Sequence, residues 1–245
     1  MICRDYRPAT WPTATKMNNS SADPIRIKPV AGKRELGRFI TAPGPIYRDD
    51  PNWVAPLRYE QKQRLTKKNP FFEHARWQAW TAHRQGRIVG RISAQVDDLY
   101  EQQHGEKVGY FGMLEAVDDP ALFSSLLATA EGWLQAQGIK TIRGPFNLSI
   151  NEECGVLVEG FETPPYIMMG HARPWYARHI EAAGYHKGTD MLAYQIRPYF
   201  EAPRVMTRLL DRETRHVRVR CLRRRQLKED LEILRDIFND AWQDN

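Results

Sequence analysis

Lys107 to Gly138 reads KVGYFGMLEAVDDPALFSSLLATAEGWLQAQG, a buried strand, an acidic turn and an amphipathic helix in one stretch. Val108, Tyr110, Phe111, Met113 and Leu114 form an apolar run of strand length, and Gly109 and Gly112 leave room for another backbone or a ligand to approach. The pattern predicts a central strand. Asp118-Asp119-Pro120 then opens a helix, with Asp119 as N-cap and Pro120 at the first helical position, where its missing N–H costs nothing. Leu122, Leu126, Ala130 and Trp133 recur on one face, flanked by Phe123, Leu127 and Leu134, until Gly138 stops the helix. A strand leading into a helix N-terminus is a natural ligand site, because free N–H groups point there. The two aspartates either cap that end or face the ligand, and an anion would have to tolerate them.

The 245 residues allow one large domain or a domain and a half with a real core. No run approaches the roughly twenty apolar residues of a membrane span, and the N-terminus lacks the order of a secretory signal. A cytoplasmic protein without a membrane partner is expected. Cys3, Cys154 and Cys221 form no CxxC or Cys/His spacing, and the seven histidines are scattered, so neither a disulfide framework nor a metal is expected. The net charge of +6 sits mostly toward the C-terminus, where Arg204 to Arg225 holds nine arginines against Asp211 and Glu213. Arg204, Arg208, Arg212 and Arg215 recur at helical spacing opposite Val205, Leu209 and Leu210. With no aromatics or motif beside it, this stripe reads as a solvated face rather than a nucleic-acid surface.

Residues 1–24 lack periodicity and are expected to be a disordered leader. Ile25 to Val30 alternates as a half-buried strand, and Gly32 to Ile40 has helical spacing. Tyr47, Asp50-Pro51-Asn52-Trp53 and Pro56-Leu57 form an aromatic corner that could line a pocket. Glu60 to Lys68 predicts a short charged helix; Trp77 to Arg84 and Arg87 to Gln95 predict a hairpin about Gln85-Gly86; Asp97 to Glu106 predicts a polar loop. Beyond the central helix come a strand over Lys140 to Phe146, a polar loop over Asn147 to Glu153, a helix over Pro174 to Ala183 and a strand over Asp190 to Ile196. The class is α+β with one mixed sheet.

This order over Ile25 to Arg197 resembles the GNAT superfamily of N-acyltransferases. Ile46-Tyr47, Asp50-Pro51-Asn52-Trp53, Asn69-Pro70-Phe71-Phe72, Gly90-Arg91-Ile92 and the strings from Arg143-Gly144-Pro145 to Gly160-Phe161 resemble a bacterial family with two GNAT-like units in tandem. The resemblance implies a GNAT-like domain over 25–197, with a mixed, mostly antiparallel central sheet flanked by helices. A basic linker helix over 198–216 follows, and the strand and helix over 217–245 resemble the start of a second, incomplete unit. That exposed start could pair two copies as a homodimer.

The resemblance also implies that acetyl-CoA or another acyl-CoA lies between strands 108–114 and 140–146. Gly112, Met113 and Leu114 of the first strand would then bind the cofactor, and Val117, Asp118, Asp119, Ala121 and Leu122 would form the pyrophosphate turn. Here that turn has no glycine, Pro120 removes a donor, and two carboxylates oppose a pyrophosphate. The family's general-acid tyrosine, four residues before Gly184-Tyr185, is Ile180, and Tyr176 one turn earlier is the substitute. Glu115 matches where relatives hold a carboxylate base, or else it is an exposed residue leading into the helix.

In the loop after the strand, Asn147, Ser149, Asn151, Glu152 and Glu153 concentrate polar groups suited to a cationic amine, with Glu152 an alternative base. His171 and Arg173 are further ligand candidates. Two functions stay open: an N-acyltransferase acting on a small-molecule amine, and a non-catalytic GNAT-like module binding an amine or a protein partner.

Overall fold

The computed structural model describes residues 2–8, 24–195, 199, 201–213 and 220–242. The chain divides into two units, Met1–Tyr194 and Gln195–Asn245.

The first unit contains β1 (Ile2–Pro8), β2 (Arg26–Pro29), α1 (Lys33–Thr41), α2 (Pro43–Ile46), α3 (Arg58–Arg64), β3 (Ala75–Arg84), β4 (Arg87–Asp97) and α4 (Asp98–His104). It continues through β5 (Val108–Ala116), α5 (Pro120–Ala136), β6 (Thr141–Arg143), β7 (Val156–Glu159), α6 (Tyr176–Ala182) and β8 (Tyr185–Leu192). One sheet has the order β2-β3-β4-β5-β6; its first four strands are antiparallel and β6 joins β5 parallel. This is the mixed, mostly antiparallel sheet flanked by helices that the GNAT-like reading expects. The β3–β4 turn closes on Gln85 and Gly86, both at positive φ, which matches the right-handed twist of the hairpin.

β5 is buried along its length except at Glu115. Two glycines explain how a central strand admits such close neighbours. A Cβ at Gly109 would lie 2.6 Å from Leu134 Cδ2, and one at Gly112 would lie 1.9 Å from the carbonyl oxygen of Phe146. The approach that Gly112 permits is therefore that of another backbone. Past Tyr110 the parallel pairing with β6 ends, the chain passes the cis Gly144–Pro145 bond, and Phe146 N–H donates to Phe111 O at 2.8 Å. A bulge in β5 facing β4 leaves Met113 at φ 47°. Over this sheet α5 buries Leu122, Phe123, Leu126, Leu127, Ala130 and Leu134, and Trp133 meets Trp80 edge-on at 6.3 Å. Asp119 caps α5 as expected, accepting from Ala121 N at 2.9 Å and Leu122 N at 3.2 Å.

Several expectations are corrected. Residues 2–8 of the expected leader form β1, which pairs antiparallel between β7 and β8; residues 9–23 lie outside the described residues. Asp98 to His104 is a helix rather than a loop, capped by Asp97 through Leu99 N and stopped by Gly105 in the left-handed region. The strand expected over 140–146 is only Thr141–Arg143, because Gly144 and Pro145 turn the chain onto β5. The last strand starts at Tyr185, directly after Gly184, rather than at Asp190.

The second unit holds α7 (Arg204–Glu213) and α8 (Leu227–Trp242), the latter preceded by a 3-10 turn over Arg224–Gln226. Most of the strand expected over 217–221 lies outside the described residues. Asp230, 1% exposed, gathers the approach to α8: the Arg220 and Arg223 guanidiniums and Arg223 N–H all donate to its carboxylate. The hydrogen bonds from Arg220 and Arg223 hold its carboxyl far below the usual range.

Candidate active site

Glu115, next to last in β5, is the one residue of the strand that is not fully buried, its side chain 16% exposed. Its partners come from three elements. Tyr47, just past α2, donates to Glu115 Oε2 at 2.6 Å, and Tyr176, the first residue of α6, donates to the same oxygen at 2.8 Å. Arg91 lies opposite Glu115 across the β4–β5 ladder, its guanidinium 3.7 Å from Oε1. Ala116 N–H donates to the Tyr176 hydroxyl at 3.0 Å, which fixes that ring against the strand. Tyr47 stacks on Trp53 with ring centroids 5.1 Å apart.

Burial raises the Glu115 carboxyl above its ordinary range, and Arg91 and the two tyrosine hydrogen bonds oppose the rise. Burial and then the Glu115 charge push both tyrosine hydroxyls well above their usual value. Burial lowers Arg91, and Glu115 opposes that shift. The cluster is thus a carboxyl group held by two phenols and one guanidinium.

Glu115, Tyr176, Arg91, Met113, Leu114 and His171 contribute to the wall of a cavity of about 90 Å³. Arg64, Glu153, Pro56, Pro165 and Met169 belong both to this cavity and to an adjoining groove of about 400 Å³. At that junction Arg64 is ion-paired with Glu152, lies 3.8 Å from Glu153 and donates to Asn147 O at 2.6 Å. Asn147 ties the loop to the bulge: its side-chain oxygen accepts from Met113 N–H at 2.7 Å and its amide donates to Glu153 at 2.9 Å. Behind the cavity His171 meets Asp50 at 2.9 Å, with Arg173 3.4 Å from the same carboxylate.

The candidate residues named from sequence separate into three groups. Glu115, Tyr176, Met113, Leu114, Asn147 and Glu153 come together around the cavity, and Glu152 stands on the groove. Asn151 is exposed, and Ser149 serves the loop itself by accepting from Asn151 N–H at 3.2 Å. Gly112 is filled by the Phe146 carbonyl.

The turn read as a pyrophosphate cradle is engaged by the protein's own side chains. Asp119 occupies the N–H groups of Ala121 and Leu122 and is itself ion-paired with Arg84. Asp118 is held by His179 at 2.6 Å and Arg178 at 2.9 Å. A phosphate on Val117 to Leu122 would have to displace partners the protein already supplies. Arg91 and Arg64 were missed from sequence, although Arg91 sits at an inward position of a strand, where a cation requires a partner. Tyr47 was visible in the aromatic corner and in the string Ile46-Tyr47, without a role assigned to it.

No protein-family model matches the chain. Among solved structures, an acetyltransferase from the GNAT family from Colwellia psychrerythraea is similar with a TM-score of 0.39 at 10% identity, covering 76% of this chain and 52% of that chain. The chain is 44% identical over 239 residues to Protein YghO of Escherichia coli (strain K12), and 44% identical over 231 residues to a bacterial ceramide synthase of Caulobacter vibrioides (strain NA1000 / CB15N). By sequence it is therefore similar over 97% and 93% of its own length to these two proteins, and it spans 60% of the length of each.

Proposed function

We propose that the first unit carries an N-acyltransferase site, moving an acyl group from an acyl-CoA thioester to the amine of a long-chain acceptor. The observation that carries this reading is Glu115, a carboxylate raised by burial, hydrogen-bonded by Tyr47 and Tyr176 and facing a cavity. Amide formation at a thioester needs a base, because the attacking nitrogen must lose a proton as its bond to the carbonyl carbon forms and the carbon–sulfur bond breaks. Glu115 takes that proton. Tyr47, Tyr176 and Arg91 hold the carboxylate in place and oppose the rise that burial imposes on it. Glu152 and Glu153 face the groove with an amine-compatible charge and are restrained by Arg64.

The relative named a bacterial ceramide synthase supports the choice of acceptor, since a ceramide is by definition the N-acylated form of a long-chain amino alcohol. The apolar side chains of the groove suit such a chain. The closed first turn of α5 favours a second reading, a module that binds the amine and transfers nothing.

Incubating the chain with a long-chain acyl-CoA and sphinganine, with thiol release and amide mass as readouts, separates the two. Stoichiometric thiol and amide support transfer. Binding of sphinganine with neither product supports the module.

A further inference from the structure

The rim of the groove carries a cost that packing within the chain does not repay. Residues Tyr166 to Met169 form a tight turn, closed by Met169 N–H donating to Tyr166 O at 3.1 Å. The two central positions of such turns usually hold Gly, Asn, Asp or Pro, which suit its backbone or stay in water. Here they are Ile167, 93% exposed, and Met168, 55% exposed and at φ 63°. An apolar side chain in the left-handed region, thrust into solvent at the tip of a turn, marks a surface that meets something else.

A second apolar loop stands on the same groove. Val54 and Leu57 are 59% and 71% exposed, Tyr59 follows at 75%, and Tyr166 on the first loop is 67% exposed. Neither Trp53 to Leu57 nor Thr163 to Gly170 contains a charged residue. Directly after Leu57 the character changes: α3 and the turn beyond it expose Arg58, Lys62, Lys67 and Lys68 against Glu60 alone. Apolar tips with amphipathic tyrosines and a cationic flank are the pattern of a segment that seats at the headgroup level of an anionic bilayer.

We propose that the mouth of the candidate site docks on an anionic lipid bilayer, with Ile167, Met168 and Leu57 inserted among the acyl chains and the exposed cations around α3 on the headgroups. The groove would then open onto the phase in which a long-chain amine resides. This deepens the acceptor reading above but is tested without turnover, so either can fail alone. It also differs from the expectation of no membrane partner, which rested on the lack of a spanning run. Among the described residues no helix is long and apolar enough to cross a membrane, and interfacial docking requires none.

The test is co-sedimentation of the chain with vesicles of phosphatidylcholine alone and of phosphatidylcholine with phosphatidylglycerol, alongside sedimentation velocity without lipid. Ile167→Asp removes an exposed side chain and leaves the core intact, as the melting temperature will report. The expected result is salt-sensitive binding to the anionic vesicles, weakened roughly tenfold or more by Ile167→Asp. The pair Arg58→Glu with Lys62→Glu should cost the anionic preference. Binding that Ile167→Asp leaves unchanged would move the contact elsewhere, for instance to the arginine-rich segment after 203, and would overturn the proposal. So would equal binding to neutral vesicles, no binding to either, or self-association without lipid that Ile167→Asp abolishes, which would make a second copy the occupant.

Discussion

Glu115 Oε2 accepts from two phenols while Arg91 stands 3.7 Å from the other oxygen, so the carboxylate is stabilised by three groups and still raised by burial. A base in this state works only when ionised. Turnover should therefore rise with pH through the raised Glu115 value, and initial rates measured as a function of pH will show that arm. Tyr47→Phe deletes one hydrogen bond to the charged form, so the arm should move to higher pH; an unmoved arm would mean that another group titrates. A glutamate closing a strand was legible in the sequence as a base candidate. Arg91 was not, because its partner stands on another strand, and the Arg91–Glu115 pairing is set by a bulged register that residue spacing does not reveal.

Among the elements, β5 and α5 were the most legible, since an apolar run with glycines and a capped amphipathic helix are local signals. What fills the glycines is not local. Gly112→Ala should destabilise the chain by about 3 kcal/mol, because the added methyl meets a backbone carbonyl that side-chain motion cannot relieve. Urea unfolding will measure it, and a loss near zero would mean that the Phe146 carbonyl does not sit there. Asp119→Ala removes the cap of α5 and leaves Arg84 without its carboxylate, at an expected cost of about 1–2 kcal/mol by the same assay. The helix at Asp98 escaped notice although its cap, Asp97, and its stop, Gly105, were both written in the sequence. Its seven residues, with Leu99 and Tyr100 adjacent rather than a helical turn apart, offer no apolar stripe to announce a helix.

Across the whole molecule the first unit was legible as a mixed sheet with helices, while β1 was not, because its pairing with β7 and β8 joins residues more than a hundred positions apart. The first unit also carries a pH dependence of its own. Glu131 of α5 is 7% exposed, accepts from the Tyr185 hydroxyl at 2.7 Å and is raised by burial against that hydrogen bond. A carboxyl raised on folding contributes stability that is whole below the ordinary value of about 4.3 and is lost as pH rises through its folded value. The melting temperature should fall as pH rises from about 4.3 through the folded value, and Glu131→Gln should flatten that slope; an equal slope in both would assign the dependence to other groups. The central claim remains that Glu115 is the base of an acyl transfer. Single-turnover amide formation from a long-chain acyl-CoA and sphinganine, compared between the chain and Glu115→Gln, tests it most directly. The account predicts a rate lower by about 10²–10⁴ with sphinganine binding retained. Equal rates in the two proteins, or no amide from either, would contradict it.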